Sequence, residues 1–204
     1  LIARLDIKNK NLIKPINLEG LRIVGDPNEF AKKYYLNGID EIFFMDTVAT
    51  LYSRSYLTEI ITNITNEIFI PITVGGGVRS LSDVKELLNS GADKVALNTA
   101  AVENPELIKE IADKIGSQSL VISIDAKKRL ENKWEVYVNN GRDRTGIDVI
   151  NWIKKVEAMG AGEILITSID REGTRRGFDY ELAKSSFQVS KIPLIISGGC
   201  GEIQ

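Results

Sequence analysis

The 204-residue sequence contains no histidine and a single cysteine, Cys200. The first absence removes every Ser-His-Asp arrangement and most zinc sites, because imidazole supplies the base or the ligand in them. The second removes any internal disulfide and fits a reducing, cytoplasmic setting. An excess of charge is also missing: 26 basic side chains stand against 28 acidic ones, a formal net charge of −2. A nucleic-acid partner would want a basic stripe, so none is expected. No apolar run approaches the roughly 18 residues of a membrane helix, so no membrane partner is expected. The opening Leu1-Ile2-Ala3-Arg4-Leu5-Asp6 is charged too soon for a secretory signal. It has no initiator Met, so the chain is expected to have lost something upstream. Linkers rich in Pro or Ser and low-complexity runs are absent too, which predicts one domain over residues 1–204.

What is present is an alternation of two kinds of segment. Short β-branched runs read as buried strands: Ile42–Met45, Ile70–Val74, Lys94–Leu97, Leu120–Ile124, Glu163–Thr167 and Pro193–Ile196. Amphipathic stretches between them read as helices. Asp26-Pro27 opens one, with Asp as the cap and Pro at the first helical position. Ser80-Leu81-Ser82-Asp83 opens another, which Gly91 closes, and Asn104-Pro105 and Asp148 start two more. Strands alternating with helices over short links predict a parallel α/β sheet.

The chain also repeats itself. Gly38-Ile39-Asp40-Glu41-Ile42 returns as Gly160-Ala161-Gly162-Glu163-Ile164, 122 residues later. Ile70-Pro71-Ile72-Thr73-Val74-Gly75-Gly76-Gly77 returns as Ile192-Pro193-Leu194-Ile195-Ile196-Ser197-Gly198-Gly199, again 122 residues later. Leu1–Lys8 and Leu120–Lys127 share Leu-x-x-x-[Leu/Ile]-Asp-x-Lys at a spacing of 119. Two similar halves, about 1–119 and 120–204, predict a (β/α)8 TIM barrel. The counterpart of the fourth strand would fall beyond Gln204, so the eighth strand is expected to be missing and a complete chain to run to about 245–255 residues. An open doubly wound sheet is the alternative, though such folds rarely carry a two-fold repeat.

The active site of such a barrel lies at the C-terminal ends of its strands. Asp6 and Asp125 occupy equivalent ends of the first and fifth strands, so the repeat places them across the barrel mouth. Two facing carboxylates suit general acid–base work, provided their surroundings differ. The plainer alternative is that each caps its loop or pairs with Lys8 or Lys127. Gly75-Gly76-Gly77 and Gly198-Gly199 follow the third and seventh strands. Glycine there lets backbone N–H groups approach a phosphate, with a helix N-terminus behind. One such run is usually a tight turn; two in equivalent places suggest a ligand with a phosphate at each end. Asn98 and Thr99 would add polar donors beside Gly77. Arg142, Arg144, Arg171, Arg175 and Arg176 sit in loops, where arginines are more often solvated than clamped on phosphate. Glu41, Lys94 and Glu163 stand at strand starts, where charge usually serves stability and a gate around the axis is the other reading.

These residues resemble the cyclase subunit of imidazole glycerol phosphate synthase. The resemblance rests on Leu5-Asp6-Ile7-Lys8, Gly25-Asp26-Pro27, Thr73-Val74-Gly75-Gly76-Gly77, Gly91-Ala92-Asp93-Lys94-Val95 and Asn98–Pro105. It continues through Ile124-Asp125-Ala126-Lys127, Gly160–Leu165, Thr167-Ser168-Ile169-Asp170-Arg171 and Ser197-Gly198-Gly199, so it covers essentially the whole chain. It implies a lyase–cyclase step without cofactor or metal. A glutaminase partner would release ammonia. The ammonia would react with a ribulosyl bis-phosphate aminoimidazole carboxamide nucleotide, giving imidazole glycerol phosphate and the carboxamide ribonucleotide. Asp6 and Asp125 would be the acid–base pair and Lys14 a flexible first-loop lysine assisting closure. Gly76, Gly77, Asn98 and Thr99 would hold one phosphate; Thr167, Gly173, Gly198 and Gly199 would serve the other end. Glu41, Lys94 and Glu163 would form parts of an ammonia gate. The chain departs from the family's usual pattern with Glu172 for Asp, Ala3-Arg4 for Pro-Cys, and Pro15 in the first loop. Those departures leave open a paralogue acting on a nucleotide-linked or surface-polysaccharide sugar. A non-catalytic barrel that only activates a glutaminase is a further alternative, and the presence of both carboxylates and both glycine pairs argues against it.

Overall fold

A computed structural model describes residues 1–47 and 55–201. Two compact units divide the chain: Leu1–Lys14 with Arg22–Ala96, and Pro15–Leu21 with Leu97–Gln204. The elements begin with β1 (Ile2–Lys8), β2 (Asn11–Ile16), β3 (Glu19–Gly25), α1 (Pro27–Leu36) and β4 (Glu41–Asp46). They continue with α2 (Ser55–Ile64), β5 (Ile72–Gly75), α3 (Leu81–Asn89) and β6 (Lys94–Leu97). Then come α4 (Thr99–Glu103), α5 (Glu106–Lys114), β7 (Leu120–Leu130), β8 (Lys133–Val138) and β9 (Asp143–Asp148). The last are α6 (Val149–Ala158), β10 (Glu163–Ser168), α7 (Tyr180–Phe187) and β11 (Leu194–Ser197). Helices and parallel strands in this alternation make an α/β chain of the TIM-barrel class.

In the first unit β1, β4, β5 and β6 pair in parallel. In the second, β7, β10 and β11 do the same. The register repeats as well as the sequence. Asp6 pairs with Met45 and Met45 with Gly75. Asp125 pairs with Thr167 and Thr167 with Ser197, the repeat-equivalent residues in every case. One strand face is apolar and helix-covered: Ile42, Phe44 and Val74 in the first unit, and Ile122, Ile124 and Ile164 in the second, are all fully buried. The other face carries the polar groups, because side chains alternate along a strand.

The helix starts follow their caps. Asp26 accepts hydrogen bonds from the N–H groups of Asn28 and Glu29 at 2.8 and 3.0 Å. Ser80 and Asp83 form a reciprocal capping box. Asp148 and Asp179 accept from Asn151 and Leu182 at 3.0 and 3.1 Å. The sequence reading takes two stretches as loops that are antiparallel excursions instead. β2 folds back on β1, with Asp6 opposite Ile13. β7 runs on to Leu130 and pairs with β8, which pairs with β9. Asn17-Leu18 and Asn139-Asn140 turn the chain at positive φ, conformations that Asn tolerates well. In the second unit Leu18, Tyr137 and Ile169 form a small buried cluster.

Two carboxylates anchor the second unit. Asp179 caps α7 and also accepts from Trp134 Nε1 at 3.2 Å and Ser168 Oγ at 3.3 Å. Glu135 accepts from Arg144 Nη2 at 3.2 Å and from the Gly146 N–H at 2.9 Å, and pairs with Arg129 at 3.2 Å. Burial pushes the Glu135 carboxyl up, but the hydrogen bonds from Arg144 and Gly146 and the charges of Arg144 and Arg129 outweigh it and hold it below its ordinary value of 4.5. A lowered folded-state value means a stabilisation present above pH 4.5 and lost as pH falls through the lower folded value. Glu135→Gln should therefore flatten the acid side of the stability–pH curve, measured by urea unfolding in pH steps; an unchanged slope would contradict this. Asp179→Ala, which strands two buried donors and a helix start, should cost about 2–4 kcal/mol in the same assay at neutral pH.

Candidate active site

β1 delivers Asp6 to the upper, polar face of the first unit, where it is only 2% exposed. A buried carboxylate needs donors, and Arg4, two residues earlier on the same face, supplies one. Its Nε–H donates to Asp6 Oδ1 at 2.9 Å, with the two side chains 13% and 1% exposed. In the second unit β7 delivers Asp125, also buried. There one donor is a neutral amide: Asn98 Nδ2 donates to Asp125 Oδ2 at 2.9 Å. Asn98 Oδ1 is buried without a hydrogen-bond partner among the described residues. Thr99 opens α4, and its hydroxyl accepts from the Asn139 N–H at 3.0 Å. Thr167 is fully buried and in register with Asp125.

The glycine runs have a backbone reason to exist. A Cβ on Gly76 would lie 2.2 Å from the carbonyl oxygen of Asp46. One on Gly198 would lie 2.7 Å from the carbonyl oxygen of Ser168. Asp46 and Ser168 are themselves 122 residues apart, so each unit makes the same contact between neighbouring strand ends. Close packing therefore requires these glycines whether or not a phosphate approaches. Gly77 and Gly199 follow at once, and Gly173 lies in the turn after β10, where its backbone packs beside Pro15.

At the lower end of the first unit, Lys94 Nζ pairs with Glu41 at 3.1 Å and Thr73 Oγ1 donates to Glu41 at 2.6 Å. Glu163 opens β10 in the second unit. Lys14 is exposed on β2 and so belongs to a strand rather than to a free loop. Arg144, one of the candidate loop arginines, is engaged by Glu135. Three partners escape a reading by motif. Arg4 stands out only as a charge in an apolar strand two residues before an aspartate. Thr73 and Asn139 carry no signal in the sequence, because their roles depend on which strands become neighbours.

The family model described as histidine biosynthesis protein matches residues 1–204. The chain is 57% identical to the imidazole glycerol phosphate synthase subunit HisF of Legionella pneumophila over all of this chain and 96% of that protein. It is 48% identical to the HisF of Dictyoglomus thermophilum, over all of this chain and 81% of the relative. It is 49% identical to the HisF of Pyrococcus furiosus, over 99% of this chain and 80% of the relative. Matches of that extent leave no part of the chain to another fold. The chain belongs to the histidine biosynthesis protein family, as a cyclase subunit of imidazole glycerol phosphate synthase.

Proposed function

We propose that Asp6 and Asp125 are the acid–base pair of an ammonia-using cyclisation. In that reaction a ribulosyl bis-phosphate aminoimidazole carboxamide nucleotide gives imidazole glycerol phosphate and the carboxamide ribonucleotide, a lyase step. The observation that carries the reading is the pair itself: two buried carboxylates at repeat-equivalent positions, near the ends of the parallel-paired parts of β1 and β7, each with a side-chain donor of a different kind. Joining ammonia to the substrate and releasing the nucleotide both need protons moved at nitrogen and oxygen. Two aspartates in unlike surroundings can divide that work.

The remaining residues take supporting roles. Gly76, Gly77, Asn98 and Thr99 receive one phosphate of the substrate; Thr167, Gly173, Gly198 and Gly199 serve the other end. Lys14 acts from β2. Ammonia comes from a glutaminase subunit, and Glu41, Lys94 and Glu163 lie at strand starts along its route. The Glu41–Lys94 pair supports that role, since a partly buried ion pair can be opened by a small side-chain movement. Among the described residues no helix is long and apolar enough to cross a membrane. The work is that of a single β/α barrel domain acting in the cytoplasm.

Asp6→Asn and Asp125→Asn should each lower the ammonia-dependent kcat by about 100- to 10,000-fold, with the thermal melting curve retained. Full activity in either variant would remove that carboxylate from the mechanism. The gene in its full length should also restore growth without histidine to a strain lacking its own cyclase subunit. A well-expressed protein that fails to do so would move the reading to a sugar-modifying paralogue.

A further inference from the structure

Residue 4 is one position at which the two halves differ in charge. Residues of β1 and β7 correspond at a spacing of 119, so the equivalent of Arg4 is Ser123. Arg4 reaches up its own strand and binds Asp6. Ser123 is 3% exposed, and its hydroxyl has no hydrogen-bond partner among the described residues. Asp125 is held instead by an amide from a neighbouring strand end, Asn98. The same carboxylate position thus has a cation beneath it in one unit and a neutral hydroxyl in the other.

Arg4 is an expensive residue to place there. It lies in the middle of β1 between buried Ala3 and Leu5, and its side chain is 13% exposed. Its register partner is Phe43 of β4, and Phe43 is paired with Thr73 of β5. Thr73 is in turn paired with Lys94 of β6. The charged groups on this face of the unit are therefore Arg4, Asp6, Glu41 and Lys94, with exposed Lys8 at the end of β1, and Glu41 is bound by Lys94 and Thr73. A buried ion pair contributes little net stability against apolar residues of the same size. Stability alone is thus a poor reason for a guanidinium at this position. What it does supply is direction: a planar donor group holds a carboxylate oxygen along a fixed line, as a flexible ammonium does not.

We propose that Arg4 is a positioning residue for the reaction, holding the Asp6 carboxylate in one orientation through its Nε–H. The inference rests on the reading of Asp6 as a catalytic group. Catalysis by a positioned carboxylate falls steeply when its geometry loosens, while substrate binding by other residues is unaffected. Arg4→Lys keeps the charge but not the directed donor, and Arg4→Met removes both.

The test is steady-state kinetics of the full-length protein with ammonium chloride and the bis-phosphorylated nucleotide, alongside Asp6→Asn. The expected result is a kcat lowered several-fold in Arg4→Lys and at least about tenfold in Arg4→Met, with KM for the nucleotide within about twofold, as for loss of an interaction made in the transition state. A purely structural role would lower the melting temperature and leave kcat of the folded fraction alone. Asp6→Asn inactive while Arg4→Lys retains the full kcat would overturn the positioning role and leave the acid–base reading intact. Asp6→Asn with the wild-type kcat would overturn that reading and the positioning role with it. Arg4→Lys carries the test if Arg4→Met does not fold, because it preserves the buried charge pair.

Discussion

The constraint on which the rest depends is strand register. A parallel strand that slips by one residue turns every side chain to the opposite face. In this chain the register of β1 on β4 and of β4 on β5 is reproduced by β7 on β10 and β10 on β11. The apolar residues opposite the polar face enforce it: a slip would turn Ile42, Phe44 and Val74 away from the helices and put Glu41 and Asp6 against them. The cost would be a few kcal/mol for each large side chain exposed and more for each charge buried alone. Asp6 and Asp125 are therefore each held in place on their own strand by residues of the opposite, helix-covered face.

Much of this arrangement is legible in the sequence. Strand positions follow from β-branched runs and helix starts from Asp26, Ser80 and Asp148, because both signals are local. The two-fold repeat is local too, once aligned, and it points straight to the carboxylates and the glycine runs. The antiparallel excursions were hidden for a different reason. The alternating segment Lys133–Val138 competes with a much stronger parallel pattern, and its turn uses Asn139-Asn140 at positive φ rather than Asn-Gly. The turn from β2 to β3 is masked in the same way, since Asn17-Leu18 puts a bulky residue where glycine is usual.

The glycines show how one residue type can answer several demands at once. Phosphate approach and tight turning both call for glycine after a strand. The structure adds a third cause at Gly76 and Gly198, a neighbouring backbone that leaves no room for a Cβ. Because that demand exists without any ligand, a glycine run alone is weak evidence for a phosphate site. The stronger evidence is the repeat of the run together with hydrogen-bonding groups such as Asn98, whose Oδ1 is buried without a partner among the described residues while its Nδ2 serves Asp125.

Two-fold repeats carry a further consequence for chemistry. Identical halves would give two carboxylates in identical surroundings, and two such groups have no reason to take different parts in a proton transfer. An enzyme built this way has to break its own symmetry near the reacting groups while keeping it in the scaffold. This chain keeps the symmetry in its register and in its close-packed glycines. It breaks it one residue pair below the aspartates, with Arg4 against Ser123, and beside them, with Asn98 serving Asp125. On the proposed acid–base reading, what distinguishes the two carboxylates is thus in their supports, where the repeated Leu-x-x-x-[Leu/Ile]-Asp-x-Lys frame leaves the residue free to vary.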